Sequence, residues 1–193
     1  MHKPSVLILA AGYSSRIRKH KFALKFNEKS TFVERLVSQY KSLGCKKIIV
    51  VLNAEGVKFF QKNLPHLSNE VMVITNMFPE RGRSYSISLG LKHIPGNEKV
   101  FIQNVDNPFI TTDILKLMLE NLKDYDCVSP QYQGEGGHPV LISHNVIKEI
   151  LVREEKDFVL RDLLKNFKKR TLPVNNQKIL ANINTMEDYN KYF

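Results

Sequence analysis

Strand-like and helix-like stretches alternate along this chain, which predicts an α/β protein with a mostly parallel central sheet and helices on both faces. Two further observations carry that prediction. The apolar runs at residues 6–9, 48–52, 71–74 and 100–102 are continuous rather than alternating, as strands buried on both faces of a parallel sheet require. The chain has 193 residues and no internal repeat, low-complexity tract or long linker, so 1–193 reads as a single domain with a sizeable core.

The first strand, Val6 to Leu9, stops abruptly at small residues, then hydroxyls, then cations. Ala10, Ala11 and Gly12 let a ligand approach the backbone closely. Ser14 and Ser15 offer hydroxyl donors, and Arg16, Arg18 and Lys21 bring positive charge to the same place. Just past a strand's C-terminal end, such groups make a phosphate cradle. An ordinary βα turn with a solvated basic loop fits them equally, since neither a Walker A loop nor a dinucleotide fingerprint is present.

Residues 22–26 read as a short extended piece. Ser30, Thr31 and Glu34 then supply capping hydroxyls and an acid for a helix through Leu36, Val37 and Tyr40 to Leu43, closed by Gly44. Residues 46–52 form a second strand, a helix follows at about 55–62, and 71–74 form a third strand. Gly82 permits a turn, and 84–93 form a helix whose N-terminus points back at the sheet edge, where free N–H donors attract anions.

A fourth strand at 100–103 delivers Asp106 to the rim where α/β sheets place their ligands. A carboxylate there suits Mg²⁺, although Asp106, Asn107 and Pro108 are also ordinary turn formers. Thr111, Thr112 and Asp113 open a helix to about 122, and a fifth strand spans 125–130. The glycine-rich stretch 133–142 is a turn leading into a strand, with His138 either a solvent-facing turn residue or a site group. Helices follow at 143–152 and from 157, then strands at 171–174 and 179–183. The last helix is capped by Thr185 with Asp188.

Composition bounds the class. Apolar content of 42% and charged content of 25% are ordinary globular values. The net charge of +10 comes from lysines scattered over many helix surfaces, which argues for a solvated surface that steers anionic substrates and against nucleic acid. Cys45 and Cys127 fit neither a metal pair nor a disulfide framework, and read as buried thiols of a reducing cytoplasm. The apolar run after Lys3 is shorter than a signal-peptide core, and no run approaches membrane-spanning length.

Leu9-Ala10-Ala11-Gly12-x-Ser14-Ser15-Arg16-x-x-x-x-Lys21 resembles the signature of nucleotidyltransferases related to the molybdenum cofactor cytidylyl- and guanylyltransferases. Further pieces follow in family order: Gly82 with Ser84, Ser86 and a Leu89-Gly90-Leu91 tail; Asp106-x-Pro108-Phe109; Gly137-His138-Pro139; Arg161 ahead of Leu163-Leu164; and Asn182-Ile183-Asn184-Thr185-Met186-Glu187-Asp188. The resemblance implies a Rossmann-like three-layer fold and in-line attack by a substrate phosphate oxygen on an NTP α-phosphorus, with pyrophosphate leaving. It assigns nucleotide contacts to Leu9, Ala10, Ala11, Gly12, Ser14, Gly82, Ser84 and Ser86. It makes Arg16, Lys21 and Asp106 the catalytic, charge-neutralising groups, and Asp106 with Asn182 the holders of Mg²⁺. Gly137, His138 and Pro139 would face a phosphorylated acceptor such as molybdopterin, whose product could pass on to a cofactor-using enzyme.

Three residues depart from the pattern: Arg18 stands where a Gly is usual, Arg83 where Met is frequent, and Met186 where Pro is common. Ala11 matches the Leu-Ala-Ala-Gly of the cytidylyl branch rather than the Leu-Ala-Gly-Gly of the guanylyl branch, so CTP is the favoured nucleotide. The asparagine-rich end motif resembles the guanylyl branch and pulls the other way. A sugar-phosphate nucleotidyltransferase and a nucleotide-binding module without turnover are the alternatives.

Overall fold

The computed structural model describes residues 3–95, 97–153 and 157–193. In chain order the elements are β1 (Ser5–Leu9), a small hairpin of β2 (Lys25–Asn27) and β3 (Ser30–Thr31), α1 (Phe32–Leu43), β4 (Lys47–Asn53), α2 (Ala54–Asn63), β5 (Met72–Asn76), α3 (Gly82–Leu91) and β6 (Val100–Asn104). Then come α4 (Thr112–Leu122), β7 (Cys127–Tyr132), β8 (Glu135–Gly136), β9 (Val140–Ile142), α5 (His144–Val152), the single turn α6 (Leu160–Leu163), β10 (Lys169–Pro173) and α7 (Met186–Asn190).

The main sheet runs β10-β7-β9-β6-β1-β4-β5, with β8 added to β7. The pairs β6–β1, β1–β4, β4–β5 and β10–β7 are parallel, whereas β9 lies antiparallel between β6 and β7. The mostly parallel expectation therefore holds, with β9 as the reversed strand. Its direction brings the chain back across the sheet after the β7–β8 hairpin.

The continuous apolar runs of β1, β4 and β6 are explained by two cores, one on each side of the sheet. The run at β5 is not, because β5 is an edge strand that is not buried on both faces and leaves Met72 exposed. Val6, Ile8, Val50 and Phe101 pack with Phe32, Leu36 and Tyr40 of α1 on one face. Leu7, Leu9, Ile49 and Val51 pack with Ile87 and Leu91 of α3 and Ile147 and Ile150 of α5 on the other. Successive side chains of a strand point to opposite faces, so both must be apolar when both faces are covered. All five residues of β1 are buried.

Helix α1 begins with a full capping box: the Thr31 hydroxyl accepts from the Glu34 N–H, and the Glu34 carboxylate accepts from the Thr31 N–H. It ends at Gly44 in the left-handed conformation. The same reciprocal cap opens α7, between Thr185 and Asp188.

One expected strand is absent. Residues 179–183 do not extend; Gln177–Leu180 forms a 3-10 turn started by the Asn176 side chain, which accepts from the Lys178 N–H. The reason lies in Asn107, whose amide nitrogen donates to the carbonyls of Ile179 and Ala181 at 2.7 and 2.6 Å. One buried side chain thus takes the acceptors a neighbouring strand would have taken, while Ile179 and Ile183 still point into the core. Cys127 is buried and Cys45 half-buried, both as free thiols. Among the described residues, no helix is long and apolar enough to cross a membrane.

Candidate functional site

Three parallel strands end at one rim with the same residue type: β4 at Asn53, β5 at Asn76 and β6 at Asn104. Each amide fixes a site loop. Asn53 donates to the Ala11 carbonyl at 3.1 Å and accepts from the Gly56 N–H at 2.7 Å, tying the loop after β1 to α2. Asn76 donates to the Ser86 hydroxyl at 2.9 Å and accepts from the Phe78 N–H at 2.8 Å, tying the loop after β5 to α3. The Asn104 amide lies 3.2 Å from His138 Nε2, joining β6 to the segment that precedes β9.

A cavity of about 260 Å³ opens on this rim, lined by Leu9, Ala11, Gly12, Pro79, Gly82, Arg83, Ser86, Asn104 and Asp106. Gly82 holds φ 79° and ψ −167°, a conformation nearly closed to other residues, and this bend lets α3 begin beside the cavity. The first residues of α3 and the small residues after β1 thus line one hollow, and a helix N-terminus there suits an anion.

Lys21, in a 3-10 turn just past that loop, reaches the rim from the side. Its ammonium donates to Asn184 Oδ1 at 2.6 Å and stands 3.6 Å from Asp106 Oδ2. Asp106 is further fixed by its carbonyl, which accepts from the Ile183 N–H at 2.9 Å. Burial holds the Asp106 carboxyl above its ordinary pKa, against the opposing pull of Lys21 and Arg83. Its other oxygen, Oδ1, is buried without a hydrogen-bond partner among the described residues.

A second cavity of about 760 Å³ adjoins the first. Its floor is apolar, with Ile87, Val140, Phe158 and Leu160, and its polar groups include Arg83, Ser129, Glu135, Arg161 and Lys169. Ser129 is 4% exposed and its hydroxyl has no hydrogen-bond partner among the described residues. Gly137 and His138 line this cavity, and the His138–Pro139 peptide is cis. Gly137 has no room for a side chain, since a Cβ would stand 2.7 Å from the Ile179 carbonyl oxygen. Burial, and then the charge of Arg83, pushes the His138 imidazole down to about 4, so the ring is neutral near pH 7. The Asn104 amide holds the ring at Nε2, and Nδ1 is buried with no hydrogen-bond partner among the described residues.

The sequence-derived residues therefore divide. Leu9, Ala11, Gly12, Gly82, Ser86 and Asp106 meet in the smaller cavity, and Lys21 joins them through Asp106. Ser84 faces the larger cavity instead, donating to Asp157 at 3.3 Å. Ala10 is half-buried against the α1-side core. Ser14 lies with Ser15 and Arg18 on the outer side of the loop, and Arg16 is exposed there. Asn182 is exposed and donates to the Leu180 carbonyl, while Asn184 is the amide that meets Lys21. Arg18 has φ 52°, so the position where the pattern has Gly does take the left-handed conformation.

Asn53, Asn76, Asn104 and Asn107 were not singled out from the sequence. Their signal was an asparagine closing each of three apolar runs, which reads locally as turn chemistry.

A model of the MobA-like NTP transferase domain matches residues 6–173. A probable molybdenum cofactor guanylyltransferase of Carboxydothermus hydrogenoformans is 30% identical over 200 residues, covering 99% of this chain and 95% of that protein. The molybdenum cofactor cytidylyltransferase of Escherichia coli K12 is 25% identical over 183 residues, covering 95% and 92%. The crystal structure of Rv0371c from Mycobacterium tuberculosis H37Rv has the same fold, with a TM-score of 0.84 at 19% identity over 100% of this chain and 98% of that one.

Proposed function

The chain belongs to the MobA-like NTP transferase family, and from that premise we propose that its single domain, 1–193, moves a nucleoside monophosphate from an NTP to a phosphorylated acceptor such as molybdopterin. CTP is the favoured nucleotide. The observation that carries this reading is the pair of adjoining cavities, one small and edged by the first residues of α3, one large and apolar-floored, with Asp106 and Arg83 near their junction.

An oxygen of the acceptor phosphate attacks the α-phosphorus, the bond from that phosphorus to the bridging oxygen breaks, and pyrophosphate leaves with the electron pair. A phosphate acceptor is already ionised near neutral pH, so no general base is required. His138, neutral and fixed by Asn104, positions the acceptor rather than taking its proton. The chain's part is orientation and charge neutralisation. Lys21 supplies charge from within the site, and Arg16 supplies it from the exposed loop after β1.

The residues fit Mg²⁺. Asp106 Oδ1 is a buried carboxylate oxygen without a hydrogen-bond partner among the described residues, and Asn182 would add an amide oxygen. A single carboxylate and an amide oxygen suit Mg²⁺, which takes oxygen ligands and usually keeps several waters. When bound, Mg²⁺ supplies charge neutralisation on the triphosphate. The two free thiols suit a reducing compartment such as the cytoplasm.

The test is a screen of four NTPs against phosphorylated acceptors, molybdopterin included, following pyrophosphate release. Release that needs both substrates supports the proposal. Nucleotide binding with no release for any acceptor overturns it in favour of a binding module, and release only with sugar phosphates reassigns the acceptor.

A further inference from the structure

Arg83 lies in the field of the Asp106 carboxylate but in no salt bridge with it. Among the described residues its guanidinium makes no hydrogen bond and no ion pair, and the residue is exposed in the cleft. It is the second residue of α3 and lines both cavities. Its charge reaches Asp106 on one side and His138 on the other.

The other groups near the junction cannot do the same work. Lys21 is already engaged with Asn184 and Asp106. His138 is neutral near pH 7. Arg161 and Lys169 line the larger cavity but not the smaller. Lys21 reaches the smaller cavity only through Asp106, so among the described residues Arg83 is the cationic side chain that lines both hollows. A phosphate poised to attack must sit where the two hollows meet. A planar guanidinium can hold it with two parallel hydrogen bonds, which a methionine at that position could not.

We propose that Arg83 binds the acceptor's phosphate at the junction of the two cavities and so restricts acceptors to phosphate monoesters. The inference rests on the nucleotidyl-transfer reading for its place in the reaction. Arg83 forms no covalent bond and exchanges no proton. It offsets the repulsion between an acceptor dianion and the triphosphate while the acceptor oxygen attacks and pyrophosphate leaves.

The experiment uses the full chain, with Arg83→Met and Arg83→Lys beside the unmodified protein. One arm measures phenyl phosphate binding by calorimetry without nucleotide. A second measures the acceptor KM by pyrophosphate release, and a third measures equilibrium NTP binding. Arg83→Met is expected to weaken phenyl phosphate binding and raise the acceptor KM by about tenfold to a hundredfold, the loss expected for a charge-assisted pair. NTP binding should weaken by less than the acceptor KM rises, because the α3 N-terminus and Lys21 remain, and Arg83→Lys should recover part of the loss. Equal phenyl phosphate binding by the unmodified protein and Arg83→Met overturns the inference, whatever the turnover. So does NTP binding weakened as much as the acceptor KM. Absence of pyrophosphate release from the unmodified protein instead sinks the transfer reading, and the binding arm still decides whether Arg83 holds a phosphate monoester.

Discussion

The Lys21 ammonium stands 3.6 Å from the Asp106 carboxylate, joining the segment after β1 to the rim of β6. Both side chains are mostly buried, at 17% and 21% exposed, and the Lys21 charge offsets part of the cost of burying Asp106. Lys21→Ala should therefore lower the thermal midpoint while leaving the fold intact, because it leaves that carboxylate with less compensation. Turnover of NTP should fall by about 10²–10³, the loss seen when one charge-stabilising group is removed from a reacting centre. Wild-type kinetics in this variant would reduce the contact to a structural ion pair.

Asp106→Ala removes the carboxylate whose Oδ1 is buried without a hydrogen-bond partner among the described residues. The backbone there is held by the Ile183 N–H, and that bond does not depend on the side chain. The fold should survive, as read by circular dichroism, while Mg²⁺-dependent turnover drops by roughly 10²–10³. Near-normal Mg²⁺-dependent turnover would remove Asp106 from the metal site.

Gly82→Ala tests the bend that starts α3. At φ 79° and ψ −167° a side chain is strained even though a Cβ there would meet nothing within 4 Å. The cost should be about 1–3 kcal/mol, read as a lower denaturation midpoint. Nucleotide binding should weaken with it, because the same bend sets the cavity edge. An unchanged midpoint would mean the backbone relaxes without cost.

Much of this architecture was legible because two physical signals are local. Doubly buried strands need unbroken apolar runs, and helix ends need caps, so β1, β4 and β6 and the capping boxes at Thr31 and Thr185 could be read directly. The end of β10 onward was less legible. Ile179 and Ile183 have the spacing of a strand, but Asn107, far away in sequence, captures their neighbouring carbonyls and curls the segment. The site divides in the same way. Residues on the strand ends, such as Leu9 and Asp106, fell where periodicity put them, whereas the loop carrying Ser14 and Arg16 is placed by the buried Ile17 and by turns at Ser14 and Arg18 that sequence pattern does not encode.

His138 gives the protein an acid-sensitive element. Its folded pKa is pushed from 6.5 down to about 4 by burial and then by Arg83. Between those values the unfolded chain binds more protons than the folded one, so stability rises with pH across the window. On acidification the loss begins near pH 6.5 and levels off below about 4. His138→Gln removes this contribution, and its urea midpoint should fall less steeply between pH 6.5 and 4 than that of the unmodified protein. Parallel slopes in the two proteins would show that His138 titrates normally.

The proposed base choice is tested at Ala11, which is 5% exposed and lines the smaller cavity. The Asn53 amide holds its carbonyl at 3.1 Å, so the backbone cannot readily swing aside to widen the hollow. A methyl fixed there takes space that a two-ring purine needs more than a one-ring pyrimidine does. Relatives named for either base resemble this chain, so overall likeness does not decide the matter. One methyl is worth about 1–3 kcal/mol, or roughly 10–200-fold in discrimination. CTP should therefore be preferred over GTP in competition kinetics, without complete exclusion of GTP. UTP has the same single ring and is not rejected by this methyl. Ala11→Gly should move the CTP-to-GTP ratio toward GTP while leaving the thermal midpoint little changed. A GTP preference in the unmodified protein overturns the assignment. An unshifted ratio in Ala11→Gly places the base away from this methyl.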